Sequence, residues 1–145
     1  MTVKNLSLVA TAVLILAIFA LLAKHSLFAS APVFIAGQVV AALLMIWARL
    51  TFGLRSLHAA ATPTDGGLVT TGPYHFLRHP IYSAILIFLW AGVASHFSLF
   101  TVSSGVLATG AIAVRIGIEE RLVVMRYPEY AAYAARTRRV IPFIL

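Results

Sequence analysis

The chain has no cysteine, which excludes disulfides, a thiolate nucleophile and any cysteine-based metal site. Acid is scarce too. Four Asp and Glu stand against eleven Lys and Arg, and only 10% of the 145 residues are charged. A soluble domain carries about a quarter charged residues, so this chain lacks the polar surface that water requires. What it has instead is a 61% hydrophobic content, which places it among integral membrane proteins. The net charge of +7 reads as the Lys/Arg bias of cytoplasmic loops and their attraction to anionic membrane lipids. No nucleic acid is expected as a partner.

Long apolar runs are what the composition leaves. One crossing takes about 20 apolar residues, so the length allows about four spans and functional loops within a single domain, residues 1–145. The runs are Leu6 to Ala23, Pro32 to Leu50, Pro80 to Ser95 and Leu99 to Ile118. Pro32 stands at a favourable helix start. The last two runs are separated only by "SHFS" and are expected to form a tight antiparallel hairpin. The third is short for a crossing and is expected to be tilted or buried against its neighbours. Lys4 before the first run and Ala29-Ser30-Ala31 after it have the look of a cleaved signal, but the run is long for that role, and a retained helix is the preferred reading.

Basic residues set the expected orientation. Lys4, Arg49, Arg55, Arg78, Arg121, Arg126, Arg136, Arg138 and Arg139 fall in the amino terminus, the second connection and the tail. Both termini are therefore expected on the cytoplasmic side of a multi-pass protein of the cell membrane. The fold class is all-α, with a cytoplasmic carboxy-terminal helix or tail.

Polar chemistry is concentrated in two places on that same side. The first is Gly72 to Tyr82, "GPYHFLRHPIY", with two His, an Arg and two Tyr where a plain loop needs only Gly, Ser, Asn or Asp. The second begins at Arg115, "RIGIEERLVVMRYPEYAAYAARTRRVIPFIL". If the fourth helix continues through it, Arg115 and Glu119 share one helical face. A charge at membrane depth costs at least ~2.5 kcal/mol unless paired. An ion pair with snorkelling arginines and interfacial tyrosines would account for each feature separately. Their collection on one side, flanking one hairpin, favours a site.

These residues resemble a known family. "GPYHFLRHPIY", an apolar hairpin, Arg-x-x-x-Glu-Glu and "YPEYAAYAARTRRVIPFI" look like the carboxy-terminal region of the isoprenylcysteine carboxyl methyltransferases and related membrane phospholipid methyltransferases. The resemblance covers about residues 66–144. It implies an S-adenosylmethionine-dependent methyltransferase acting on a lipophilic acceptor. The acceptor is either the carboxylate of an isoprenylcysteine-like molecule or a lipid headgroup. The resemblance also implies cofactor contacts at Gly66, Gly67, Leu68, Val69, Tyr74, His79, Pro80, Tyr82 and Glu119, and an acceptor contact with a catalytic role at Arg115. No metal is implied.

Residue chemistry is compatible with this. A sulfonium cation, an ammonium, a carboxylate, a ribose and an adenine need an acid, hydrogen-bond donors and aromatic faces, all of which the two clusters contain. The amides following Pro80 suit a carboxylate. A carboxylate nucleophile needs no general base; an amine does, with Glu120 or His79 as candidates. Two other classes compete. A small multidrug transporter would need an intramembrane acid, and the first three apolar runs contain none. A non-catalytic scaffold or sensor of the same fold also fits. The tail from Tyr127 onwards is expected to fold back over the site.

Overall fold

The computed structural model describes residues 2–53 and 67–140. Four apolar helices and one short helix order the described residues: α1 (Val3–Ala23), α2 (Pro32–Phe52), α3 (Pro80–Ser95), α4 (Leu99–Arg126) and α5 (Tyr130–Arg136), with a 3-10 turn over Gly72–His75. The all-α membrane architecture expected from composition is present. Three of the helices, α1, α2 and α4, are long and apolar enough to cross a bilayer. At 16 residues and ~1.5 Å per residue, α3 falls short of a hydrocarbon core of about 30 Å, as its short apolar run suggested.

Helix ends follow local chemistry. The Thr2 side chain caps α1, Pro32 and Pro80 open α2 and α3 where a missing N–H costs nothing, and Ser98 and Thr101 form a reciprocal capping box on α4. The fourth helix runs two turns beyond its apolar stretch, to Arg126. The Glu, Arg, Leu and Met of this extension are good helix formers. It stops because Pro128 forces Tyr127 out of the helical region, to φ −126° and ψ 94°.

Packing follows small-residue stripes. On α1 the buried residues are Ser7, Ala10, Leu14, Ala17 and Leu21, a three-four alternation that lines one seam. The helix packs along α4, whose buried residues include Thr101, Ser104, Ala108, Ala111, Ile112 and Arg115. Small residues let the two backbones approach, which is how helices associate when lipid removes the hydrophobic drive. The opposite face of α1, with Ile15, Leu16 and Phe19, is exposed and suits acyl chains. The hairpin forms through His96, Phe97 and Ser98, yet its helices pack mainly elsewhere, α3 along α2 and α4 along α1. Gly92 shows why: a Cβ there would collide with the backbone carbonyl of Leu27, so α3 is pressed against the connection leading into α2.

At that end of the bundle Gln38 donates to the Leu27 and Phe88 carbonyls and accepts from the Ala29 amide. The other end gathers the carboxy-terminal turns of α2 and α4, the first turns of α3 and α1, and α5. The polar clusters that the sequence marks, Tyr74 to Tyr82 and Arg115 to Arg139, meet there.

Candidate functional site

The site is built on the entry to α3. Gly72 sits at φ +57°, and a Cβ at this position would lie 2.6 Å from Thr51 Oγ1, so a residue without a side chain is required both by conformation and by space. The turn it starts buries Tyr74 against Phe52, with ring centroids 5.4 Å apart. From Phe76 the chain straightens and pairs with the tail. Arg78 N donates to Arg138 O (2.7 Å), His79 N to Arg139 O (3.0 Å) and Arg138 N to Phe76 O (3.0 Å), a short parallel bridge. Ser83 locks the same join by donating to the Val140 and His79 carbonyls. Tyr133 adds a hydrogen bond to Tyr74 O (2.7 Å). The tail therefore folds back, as expected, through Val140; residues 141–145, to which the same expectation extended, lie outside the described residues.

Two adjacent acids on α4 organise what this creates. Glu119 Oε1 accepts from Tyr82 Oη (2.5 Å) and from Arg115 Nη2 (3.3 Å), and Arg115 Nε donates to Tyr82 Oη (2.7 Å). The Tyr82 ring also lies 5.8 Å from the Arg115 guanidinium carbon. Arg115 Nη1 reaches Thr11 Oγ1 on α1. Glu120 turns the other way. Its Oε1 accepts from Arg78 Nε (3.0 Å) and Tyr130 Oη (3.3 Å), and its Oε2 from Arg139 Nε (2.9 Å). His79 stands between the acids, Nδ1 3.7 Å from Glu119 and Nε2 3.4 Å from Glu120.

Burial sets the character of each group. Arg115 is 7% exposed, while Glu119 keeps 23% of its side chain accessible. Glu120 is more enclosed, at 13%. Among the tyrosines outside the long helices, burial pushes the Tyr133 hydroxyl up to about 12 against the opposing charge of Arg78. Burial, with the Glu120 charge, raises Tyr130 further. Tyr74 is raised by burial, then by Tyr133 and Glu119. All three hydroxyls stay protonated and act as donors at neutral pH.

Of the residues expected from sequence, Tyr82, His79, Pro80, Glu119 and Arg115 come together. Tyr74 lies behind them, under the tail. Gly67, Leu68 and Val69 lead into the 3-10 turn, Gly67 at φ +80°, and no hydrogen bond among the described residues ties them to the acids. Gly66 lies outside the described residues. The reading of the sequence left Thr11 out entirely. Its signal was a Ser7–Thr11 pair four apart on the small-residue stripe of an otherwise apolar helix. Arg78 had been read for charge orientation and as a member of the Gly72–Tyr82 cluster, and Glu120 as a candidate base and the second acid of Arg-x-x-x-Glu-Glu, with no partner given to either. Their pairing depends on a tail contact that spacing does not reveal.

Chemically, the cluster offers a partly open carboxylate, an aromatic hydroxyl, a fixed guanidinium and an imidazole. They surround the amino-terminal turn of α3, which no side chain caps. Cationic and hydroxyl groups suit Glu119, and anionic groups suit Arg115 and the helix start. No curated protein and no solved structure matches the chain. The sequence profile of one family does: that described as phospholipid methyltransferase matches residues 26–130, from the connection after α1 through α2, α3 and α4 to the first residue of α5. Since this is well over half of the sequence, the chain belongs to the phospholipid methyltransferase family and is a membrane methyltransferase by family.

Proposed function

We propose that the whole chain, residues 1–145, works as one S-adenosylmethionine-dependent methyltransferase domain acting on a lipophilic acceptor. That acceptor is the carboxylate of an isoprenylcysteine-like molecule or a lipid headgroup. The observation that carries this reading is the convergence of Tyr82, Arg115 and Glu119 within hydrogen-bond reach at the start of α3, in a chain of this family. The donor set fits the cofactor. Glu119 is an acceptor for an ammonium or ribose hydroxyls, Tyr82 is an aromatic surface that favours a cation by roughly 0.5–2 kcal/mol, Tyr74 is assigned to the wall behind it, and the amides after Pro80 suit an anion. Gly66, Gly67, Leu68 and Val69 are assigned to the wall that precedes them.

When bound, S-adenosylmethionine supplies a methyl group on a sulfonium, ready for in-line displacement. The protein's own part is to align and to exclude water. Arg115, held by Tyr82 and Glu119, presents a guanidinium that orients an anionic acceptor group. A carboxylate acceptor asks for no base. For an amine acceptor a proton must leave, and Glu120 is committed to Arg78 and Arg139, so His79 is the base of choice. The tail, paired with Phe76 to His79, closes the polar end against water. Both termini are assigned to the cytoplasmic face of the cell membrane, as the clustering of cations at one end of the bundle favours. A tag at Leu145 accessible only from the outer face would overturn that orientation.

The test is to incubate purified protein with labelled S-adenosylmethionine and a total lipid extract, measuring cofactor binding in parallel. Label in one lipid class, lost in Glu119→Gln, supports the proposal and identifies the acceptor. Absence of both binding and labelled lipid refutes it, and binding without transfer favours a scaffold or sensor.

A further inference from the structure

We infer that Thr11 of α1 is a positioning residue of the acceptor site, fixing the plane of the Arg115 guanidinium through its hydroxyl. The inference rests on the assignment of Arg115 to the acceptor. α1 lies before the region that matches the family profile, residues 26–130, so this helix adds a group to the site from outside it.

Three helices hold the three nitrogens of Arg115. Tyr82 of α3 takes Nε at 2.7 Å, Glu119 of α4 takes Nη2 at 3.3 Å, and Thr11 of α1 takes Nη1. Charge neutralisation alone would need only Glu119, one helical turn away. Thr11 contributes direction, because a planar fork gripped at all three nitrogens cannot rotate about its terminal bonds. The hydroxyl is committed to this role. Its proton goes to the Ser7 carbonyl at 2.9 Å, the usual way for a threonine in a helix to satisfy itself. Toward Arg115 it is therefore an acceptor only, and donation to a backbone carbonyl polarises its oxygen. The seam beneath it is lined by Ser7, Ala10 and Leu14, so its position is set by the packing of α1 on α4.

The experiment compares wild type, Thr11→Val and Thr11→Ser in detergent, using labelled S-adenosylmethionine with a total lipid extract, cofactor binding by calorimetry, and nitrogen NMR of the Arg115 side chain. Valine keeps the shape and removes the acceptor; serine restores it. The expected result is a fall in turnover of roughly ten- to a hundredfold in Thr11→Val, the scale of one charge-assisted hydrogen bond. Cofactor affinity should stay within about twofold, the Arg115 resonances should shift, and serine should recover most of both effects. Unchanged turnover in Thr11→Val overturns the inference. So do equal losses in the valine and serine variants, or a loss matched by cofactor affinity. If wild type neither binds S-adenosylmethionine nor labels lipid, the methyltransferase reading falls instead. In that case the Arg115 resonances still test the link, and their indifference to Thr11→Val would remove it.

Discussion

Replacing Glu120 by Gln should undock the tail while leaving the helical bundle intact. Glu120 ties α4 to the segment before α3, to α5 and to the residues beyond it, through Arg78, His79, Tyr130 and Arg139. These contacts differ in weight. Arg139 is 53% exposed, so its pair contributes less than ~1 kcal/mol. The Arg78 pair is enclosed on both sides, at 12% and 13%, and cutting a buried pair costs about 3–5 kcal/mol when the surviving charge is orphaned. Arg78 is not orphaned, since Nη1 also donates to Ala134 O (2.6 Å) and Thr137 O (3.0 Å), and glutamine keeps an acceptor oxygen. The expected loss is therefore about 2–3 kcal/mol, or roughly thirty- to a hundred-and-fiftyfold more of the undocked tail. Hydrogen exchange reads this directly. The amides of Arg78, His79 and Arg138, which make the bridge between segment and tail, should exchange faster by that factor while those in the middle of α1 and α4 do not. Arg78→Gln with Glu120→Gln should be less damaging than the sum of the singles. Unchanged exchange at the three bridge amides, or equal acceleration along the whole bundle, would show that Glu120 is not the tie that the geometry makes it.

Glu119→Gln should raise the apparent constant for S-adenosylmethionine about ten- to a hundredfold, whereas Arg115→Ala should leave cofactor affinity nearly intact and reduce lipid turnover; steady-state kinetics and calorimetry separate the two. Equal losses of thermal stability with unaltered affinity would reduce them to a structural pair. Tyr133→Phe removes the donor to Tyr74 O and should destabilise tail docking by about 0.5–1.5 kcal/mol, visible as faster proteolysis beyond Arg126. Folding raises the hydroxyls of Tyr74, Tyr130 and Tyr133, the last to about 12, so their contribution is complete below the unfolded value of about 10 and is lost as pH climbs through the native values. Tyrosinate absorbance and tail proteolysis should therefore rise together above about pH 10; a tail released well below that would implicate another group. Gly92→Ala should cost about 1–3 kcal/mol of thermal stability by pushing α3 off the Leu27 carbonyl.

Fold class was legible in the sequence because burial in lipid demands apolar length, and length can be counted. The four helices, the shortness of α3 and the two-proline starts all follow from local composition. So does the joining of Arg115 and Glu119, since four residues along a helix is a fixed distance. The extension of the fourth helix through the acids was a conditional reading of the sequence, and its end before Pro128 was seen in the structure. Partner choice was not legible. Chain proximity suggests that α3 and α4 pair closely, but small residues at Gly92 and along the α1 stripe direct α3 onto α2 and α4 onto α1, and surface fit between separate segments has no sequence period. The site divides along the same line. The motif before α3 and the Arg-x-x-x-Glu-Glu of α4 named most of its members, whereas the division of labour between Glu119 and Glu120 came from side-chain direction. Thr11, 104 residues from Arg115, and Arg139, 19 from Glu120, enter the network only because three helices and a returning tail meet at one end of the bundle. A lone hydroxyl in an apolar run looks the same in sequence whether it faces lipid or a guanidinium, and only the packing of α1 on α4 makes it face Arg115.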